Sequence, residues 1–343
     1  MGDIGESNAQ QQGEPGVTQV PRIAVRPGYD ISRVIKGGWQ LAGDHGEVDG
    51  ARAEADMAAF VATGVTAFDC ADIYTGVEDM IGRFLRSARA QGQDLSQVRV
   101  HTKYVPDREA LATLRFEDVE AGIDRSLQRL GAERLDLVQF HWWDYAVPGC
   151  IEAMAHLSRL QAAGKIDRLG VTNFDAAHLE RLCAVADVAT AQVQVSLLDA
   201  RAGGDFAQVA RAGEVHILAY GTLAGGFLTE RWLGQADPGF AFENRSLVKY
   251  RLIIEEFGGW DLFQALLASL HRIGVRHGVG LDTIALRATL DSPHVAAAIV
   301  GARYADRLPQ TLRVFDVALT GADRAELDAV LGQRRGPTGA VFG

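Results

Sequence analysis

The sequence predicts an α/β protein built as a (β/α)8 TIM barrel, with a short N-terminal β-hairpin and extra C-terminal helices. Three observations support this fold class. Apolar runs of strand length alternate with amphipathic runs of helix length, which is typical of a parallel sheet. Eight strand-length runs match the number in a closed barrel. The 343 residues, 48% of them hydrophobic, supply enough apolar material for one large core.

The N-terminal residues 1–20 are rich in Gly, Gln, Glu, Ser and Asn and contain few large apolar side chains. Such a segment cannot bury enough surface to offset its ordering entropy, so we expect a disordered tail. Residues 21–343 are then expected to form a single barrel domain. It opens with two short strands around the Pro27-Gly28 turn, the second leading into the Gly-rich loop GGWQLAG.

The barrel strands are predicted at 33–36, 67–71, 98–103, 135–141, 168–172, 191–195, 215–220 and 295–300. Helical patterns lie between them at 54–62, 77–89, 116–130, 151–163, 176–185 and 206–212. In the second helical pattern, Val77, Met80, Ile81, Phe84 and Leu85 recur at spacings of three and four. This stripe is typical of a helix that packs on a sheet.

The alternation breaks once, after the segment AYGTLAGGFLTER. Residues from about 230 to 262 form an insertion with several aromatics and glycines, before a helical pattern that runs from Asp261 through His271. We expect this insertion to be a long loop on the barrel rim that closes over a ligand. Two further helices are predicted after the eighth strand, one at about 305–315 and a second that starts after Gly321 and runs through Leu331.

The composition excludes several classes of function. A formal net charge of -10 argues against a nucleic-acid partner, because that affinity depends on clustered Lys and Arg. Cys70, Cys150 and Cys183 match no zinc or redox motif and fit a reducing compartment. No stretch approaches the ~18 apolar residues of a membrane span, and no signal pattern precedes the domain. We therefore expect a cytoplasmic protein with no membrane partner, and the sequence leaves its oligomeric state open.

Four chemically useful side chains lie at or just beyond predicted strand ends: Asp69, Tyr74, Lys103 and His141. A parallel barrel would bring all four to one rim. A free tyrosine, with a pKa of about 10, is a slow acid at neutral pH and needs a nearby cation. Lys103 can supply that charge, Asp69 can hold the ammonium, and His141 can orient a carbonyl or share the proton. The group therefore predicts a proton donor for carbonyl chemistry.

Each of these residues also has a structural interpretation. Asp69 and Lys103 could form a buried ion pair, Tyr74 could be an ordinary tyrosine at a strand end, and His141 could pack against Trp142 and Trp143. Finding all four at consecutive strand ends favours the catalytic interpretation. A zinc site at His141 is not supported, because the segment HWWD offers no second His or Cys at ligand spacing, and we expect no metal.

Seven segments resemble, in order, the signatures of the aldo-keto reductase superfamily. They are FDCADIYTGVEDMIG, HTKY, DLVQFHWW, GVTNF, AQVQVSLLD, LAYGTLAGGFL and IVGAR, and they cover roughly residues 30–315. The resemblance implies an enzyme that transfers hydride reversibly between a nicotinamide cofactor and an aldehyde, ketone or sugar carbonyl. In that family's catalytic tetrad, Asp69, Tyr74, Lys103 and His141 take the four places, with Tyr74 as the general acid and base.

The same resemblance implies a cofactor site. Thr172, Asn173 and Gln192 would bind the nicotinamide carboxamide, Tyr220 would stack on the ring, and small residues in 221–228 would let backbone N–H groups approach the pyrophosphate. The alternative is that Tyr220 is a barrel-end aromatic and the glycines form a turn. The full set of predicted cofactor residues is Gly38, Trp39, Thr172, Asn173, Gln192, Tyr220, Gly221, Leu223, Gly225, Gly226, Leu228, Gly301, Arg303, Arg307, Gln310 and Thr311.

The segment IVGARYADRLPQTL resembles the part of the family that grips the adenosine 2′-phosphate. Arg303 and Arg307 lie one helical turn apart, so both guanidinium groups could reach one phosphate, which favours NADPH over NADH. The alternative is that they are surface cations paired with Asp306 or Asp323. The sequence also departs from common family patterns, since Thr311 replaces a frequent Asn and removes an expected adenine contact.

The substrate pocket is predicted from rim loops that carry Trp39, Ile73, Trp142 and Trp143, together with part of the insertion. An aromatic pocket with few polar groups suits a small carbonyl or alcohol compound with an apolar or ring portion, and sugars also stack on tryptophan. Two other functions stay open at this point: an NADP(H)-binding regulatory or redox-sensing subunit with little turnover, and a lyase or isomerase that forms an imine on Lys103.

Overall fold

The computed structural model describes residues 20–42, 48–242 and 245–340. The disorder expected of residues 1–20 therefore lies, apart from Val20, outside the described residues. The chain opens with an antiparallel hairpin of β1 (Arg22–Arg26) and β2 (Tyr29–Ser32), turning at Gly28 with φ +75°. Its buried residues Val25, Tyr29 and Ile31 pack with the apolar layer inside the N-terminal half of the barrel. The hairpin therefore closes that end.

Eight parallel strands form a closed barrel in the order β10-β3-β4-β5-β6-β7-β8-β9. The α/β TIM-barrel prediction, with its N-terminal hairpin, is confirmed. The strands are β3 (Val34–Gly37), β4 (Ala67–Asp69), β5 (Arg99–Tyr104), β6 (Leu135–Phe140), β7 (Ile166–Thr172), β8 (Val188–Gln194), β9 (His216–Tyr220) and β10 (Val295–Gly301).

Six helices follow successive strand positions and cover the barrel. They are α1 (Gly50–Ala62), α2 (Val77–Ala90), α3 (Phe116–Leu130), α4 (Cys150–Ala162), α5 (Ala176–Cys183) and α6 (Asp205–Ala212). The predicted stripe of α2 is buried, since Val77, Met80, Ile81, Phe84 and Leu85 all lie in the main core. No helix in the described part of the chain is both long and apolar enough to span a membrane.

The insertion differs from the expected long loop, because it contains helix α7 (Arg245–Phe257). The reason is visible in its apolar spacing: Tyr250, Ile253, Ile254 and Phe257 lie on one helical face and are buried in a second core. That core also includes α8 (Trp260–His277) and α9 (Leu281–Leu290). The loop prediction took the aromatics and glycines as irregular structure and overlooked this stripe.

The extra C-terminal helices are present after β10. The helix expected at about 305–315 is instead three short pieces: two 3-10 turns, Ala305–Arg307 and Arg313–Phe315, flank α10 (Leu308–Leu312). The last helix, α11 (Gly321–Leu331), is capped by Thr320, whose hydroxyl accepts from the Asp323 N–H while the Asp323 carboxylate accepts from the Thr320 N–H. This reciprocal pair fixes where α11 begins.

Candidate active site

A layer of polar side chains fills the C-terminal end of the barrel. Alternate residues of a strand point to the same face, so apolar Ala67 is followed inside the barrel by Asp69, and Leu137 by Gln139. The register pairs Lys103 with Gln139 on neighbouring strands. The uppermost layer of the barrel thus carries the charged and amide groups, while the layer below it combines apolar side chains with the buried His101 and Thr190.

Asp69 and Lys103 form a buried ion pair inside this layer. Lys103 Nζ lies 2.7 Å from Asp69 Oδ2, and each side chain is 6% exposed. The same ammonium donates to the Cys70 carbonyl at 2.8 Å. Burial acts to lower the pKa of Lys103, but the Asp69 carboxylate outweighs it and the pKa lies above its usual value. Lys103 is therefore a fixed positive charge.

The second oxygen of Asp69 accepts two amide hydrogen bonds. Gln139 Nε2 donates to Oδ1 at 3.1 Å and Gln192 Nε2 at 2.5 Å. Gln192 was predicted to bind the cofactor, and here its amide nitrogen is engaged by Asp69. Gln139 was not predicted, although its place two residues before His141 on one strand put it on the same face. These bonds fix the carboxylate that holds Lys103.

Tyr74 lies on the turn after β4, directly beside this ion pair. Lys103 Nζ is 4.9 Å from the centre of the Tyr74 ring, and the Trp39 ring stands edge-on to it at 4.9 Å. Burial raises the pKa of Tyr74, while the Lys103 charge acts in the opposite direction. The phenol thus stays protonated at neutral pH, next to a cation that would stabilise its phenolate.

His141 directly follows β6. Its Nδ1 lies 3.2 Å from the Thr172 carbonyl oxygen, and since a carbonyl only accepts, Nδ1 carries the hydrogen. Burial lowers the pKa of His141, and the Lys103 charge adds to that effect. A neutral His141 therefore presents Nε2 as an acceptor. Its ring stands perpendicular to Trp143 at 4.6 Å, which fixes its orientation.

The predicted substrate-pocket residues separate into two groups. Trp39, Ile73 and Trp143 are 40%, 50% and 38% exposed and lie close in sequence or space to Tyr74 and His141. Trp142, in contrast, is 1% exposed and packs in the main core. The assignment of Trp142 to the pocket was therefore wrong. Successive residues after a strand point in different directions, and only one of the tryptophans in HWW can face the rim.

The residues predicted to hold a nicotinamide lie together at the ends of β7, β8 and β9. The Tyr220 hydroxyl donates to Asn173 Oδ1 at 2.9 Å, and Asn173 has a left-handed backbone with φ 58°. The Thr172 hydroxyl is 3.5 Å from Gln192 Oε1. Gly38 is required where it stands, because a Cβ there would lie 2.7 Å from the Asp69 carbonyl oxygen.

The segment after β9 is rich in glycine and turns tightly. Gly221, Gly225 and Gly226 all have positive φ, and Tyr250 from α7 packs where a Cβ on Gly221 would lie. Within the described residues, the N–H groups of Thr222 and Leu223 donate to no protein acceptor. Such unpaired N–H groups beside glycines suit phosphate oxygens. The Leu228 side chain is fully buried in the second core, so only its backbone is near this surface.

The segment predicted to grip a 2′-phosphate follows β10. Arg307 is exposed, while the Arg303 Nε donates to the Gln40 carbonyl at 3.3 Å. Both acids proposed as alternative partners are engaged elsewhere, Asp306 with Arg52 at 2.6 Å and Asp323 with Arg276 at 2.7 Å. Of the other predicted contacts, Gly301 packs against the side chain of Gln40, Gln310 Nε2 donates to Asp282 Oδ2 at 3.1 Å, and Thr311 is half-buried.

In the ranges 20–42, 48–242 and 245–340, no three His, Cys, Asp or Glu side chains come together in a way that could hold an ion. Both oxygens of the Asp69 carboxylate accept hydrogen bonds, from Lys103, Gln139 and Gln192.

Comparison with known proteins gives a consistent result over most of the chain. Residues 33–331 match the aldo/keto reductase family. The chain is 25% identical over 312 residues to the aldo-keto reductase YhdN of Bacillus subtilis, covering 89% of this chain and 91% of that protein. It is 26% identical to the 6-dehydroglucose reductase of Agrobacterium fabrum, over 84% of this chain and 90% of that protein. The structure of a glycerol dehydrogenase from Gluconobacter oxydans superposes with a TM-score of 0.75 at 25% identity, covering 95% and 98%.

Proposed function

Because the chain belongs to the aldo/keto reductase family, and is therefore an oxidoreductase, we propose that it catalyses NADP(H)-dependent, reversible hydride transfer to an aldehyde, ketone or sugar carbonyl. The observation that carries this proposal is the placement of the buried Lys103 ammonium, held by Asp69, 4.9 Å from the Tyr74 ring. A buried fixed charge beside a phenol has a clear chemical use, since it makes proton loss from that phenol easier.

Tyr74 is the proton donor in this proposal. In carbonyl reduction its hydroxyl hydrogen moves to the substrate oxygen as negative charge develops there, and the resulting phenolate is stabilised by Lys103. In alcohol oxidation the phenolate takes the proton back. Asp69 acts through Lys103 by keeping the ammonium charged and in place, and Gln139 and Gln192 keep Asp69 itself from turning.

His141 positions the reacting oxygen. With Nδ1–H donated to the Thr172 carbonyl, a neutral ring can accept a hydrogen bond at Nε2 from the hydroxyl of an alcohol substrate. The same nitrogen, if protonated, would donate to a carbonyl oxygen. Trp39 and Trp143, the exposed aromatics beside Tyr74 and His141, would exclude water and contact the rest of the substrate.

The residues described above fit a nicotinamide cofactor, which would supply the hydride. Asn173 and Tyr220 would hold the ring, and the N–H groups of the Gly221–Leu228 segment would hold the phosphates. The Arg307 side chain is exposed, and Arg303 precedes it by one helical turn in the sequence. Two such guanidinium groups suit the 2′-phosphate, which supports NADPH over NADH. The substrate would be a small carbonyl or alcohol compound. Two relatives are named for hydroxylated compounds, 6-dehydroglucose and glycerol, so sugars and polyols belong among the candidates.

The ion pair also argues against imine chemistry on Lys103. An amine must be neutral to attack a carbonyl, and Asp69 raises the pKa of Lys103 above its usual value. Lys103 is therefore a stabilising charge rather than a nucleophile in this proposal.

The test is a screen of aldehydes, ketones, aldoses and keto acids with NADPH and NADH in parallel, followed by Tyr74→Phe on the best substrate. We expect Tyr74→Phe to lower kcat by about 100-fold or more while the fold is retained. Tyr29→Phe is the matched control, since the Tyr29 hydroxyl lies at the opposite end of the barrel with no hydrogen-bond partner in the described residues. An unchanged kcat in Tyr74→Phe would refute the assignment, and tight cofactor binding without turnover would favour a regulatory subunit.

A further inference from the structure

Helix α7 covers the region where the proposed cofactor phosphates would lie. Lys249 places its Nζ 5.5 Å from the centre of the Tyr220 ring. The next residue, Tyr250, is buried and packs against Gly221 and Gly225 of the glycine-rich segment. One helix therefore brings both a cation and an aromatic ring to the same short stretch of backbone.

Lys249 carries a charge that no ion pair balances in the part of the chain that the structure describes. Within the described residues, it has no carboxylate within salt-bridge distance and no hydrogen-bond acceptor. Asp199 is fully buried nearby, but Arg201 holds it through two contacts at 2.9 and 2.7 Å, and Gln194 donates to it at 2.7 Å. The one acid among these groups is thus already neutralised by one arginine, and Lys249 adds a further positive charge.

This excess charge has an energetic cost in the free protein. Lys249 is partly buried, and its pKa is lowered by burial and by the nearby Arg201 charge, which together outweigh the opposite effect of Asp199. A partly buried cation without a counter-charge is unfavourable unless something binds to it. An anionic ligand would remove that penalty, so the site is prepared for one.

The nature of the anion follows from the neighbouring backbone. The unpaired N–H groups of Thr222 and Leu223 lie in the segment that Tyr250 covers, and they suit phosphate oxygens. We propose that Lys249 binds the diphosphate of the nicotinamide cofactor together with these N–H groups, so that α7 acts as a strap over the bound cofactor. This inference rests on the proposed function and adds a residue and a helix that the family resemblance did not supply.

The experiment is direct measurement of cofactor affinity by calorimetry or tryptophan fluorescence, for wild type and Lys249→Gln, with NADP+ and NAD+. Because both cofactors share the diphosphate, we expect the two affinities to fall by the same factor, about 10- to 100-fold. Lys249→Arg should restore most of the affinity. Adenosine 2′-monophosphate, which has no diphosphate, should bind wild type and Lys249→Gln equally well.

Lys165→Gln is the matched control, since it removes one lysine that instead pairs with Glu120 and Asp124 on the outside of the barrel. It should leave both affinities unchanged, and melting curves should show all variants folded. Unchanged affinities in Lys249→Gln would overturn the proposal. A loss of affinity confined to NADP+ would also overturn it, because that result places Lys249 at the 2′-phosphate. A rise in KM for carboxylate substrates alone would overturn it too, because that result places Lys249 at the substrate. If wild type binds neither cofactor, the proposed function fails as well.

Discussion

Lys103 Nζ lies 2.7 Å from Asp69 Oδ2, and both side chains are almost completely buried. Breaking such a pair from one side leaves a buried charge without a partner. We expect Asp69→Asn and Lys103→Met each to lower the free energy of unfolding by about 3–5 kcal/mol. The double variant should lose clearly less than the sum of the two, because no unpaired charge remains. Urea denaturation at pH 7 measures this cycle, and strictly additive losses would show that the pair is not coupled.

Arg307 offers a test of cofactor choice. Its side chain is exposed, so its replacement should not disturb packing. If it contacts the 2′-phosphate, Arg307→Gln should weaken NADP+ binding by about tenfold or more and leave NAD+ binding unchanged. Arg89→Gln, at the exposed end of α2, is the control for loss of a surface arginine. Equal losses for both cofactors would place Arg307 elsewhere on the ligand.

The strands and their polar ends could be predicted from the sequence because they depend on local pattern. A short apolar run that ends in a polar residue gives both the strand and the rim position, and this located Asp69 and Lys103 correctly at one end of the barrel. Strand alternation also places Gln139 on the same face as His141. A glutamine has no distinctive chemistry of its own, so the sequence does not indicate its role in holding Asp69.

Other features depend on how distant segments meet. Nothing local distinguishes Trp142, which is buried, from Trp143, which is exposed. Lys249 lies in a segment that was interpreted as a loop, and its place over Tyr220 follows from how α7 packs on the second core. The unbalanced charge there becomes visible only when Asp199 and Arg201 are seen to neutralise each other.

Lys36 is a buried lysine that should destabilise the fold below about pH 8. It is 2% exposed, its Nζ donates to the Ala302 carbonyl at 3.2 Å, and burial lowers its pKa from 10.5 to about 8. The unfolded chain then binds more protons than the folded one between these two values, so stability rises with pH across that interval. Lys36→Met should therefore raise the free energy of unfolding at pH 7 by up to about 3 kcal/mol. The loss of the lysine's hydrogen bonds reduces this gain.

The pH dependence separates this effect from simple repacking. The gain from Lys36→Met should shrink as pH rises through about 8, because wild-type Lys36 then becomes neutral in the folded state. Urea denaturation of both proteins at pH 7 and pH 9.5 measures the difference. A gain of the same size at both pH values would mean that the methionine packs better and that the buried charge is unimportant.

Asp72 should have the opposite pH dependence, and it lies on the turn that carries Tyr74. Its carboxylate accepts from the Val105 N–H at 3.2 Å, and burial raises its pKa from 3.8 to about 7. Between these values the folded state holds the extra proton, so stability falls as pH rises, and the cost is fully present above about pH 7.

Asn in place of Asp72 is neutral and keeps an acceptor for the Val105 N–H. Asp72→Asn should therefore raise the free energy of unfolding by about 1–3 kcal/mol at pH 8 and by almost nothing at pH 4. Equal effects at both pH values, measured by urea denaturation, would show that the Asp72 carboxylate is not strained by its burial.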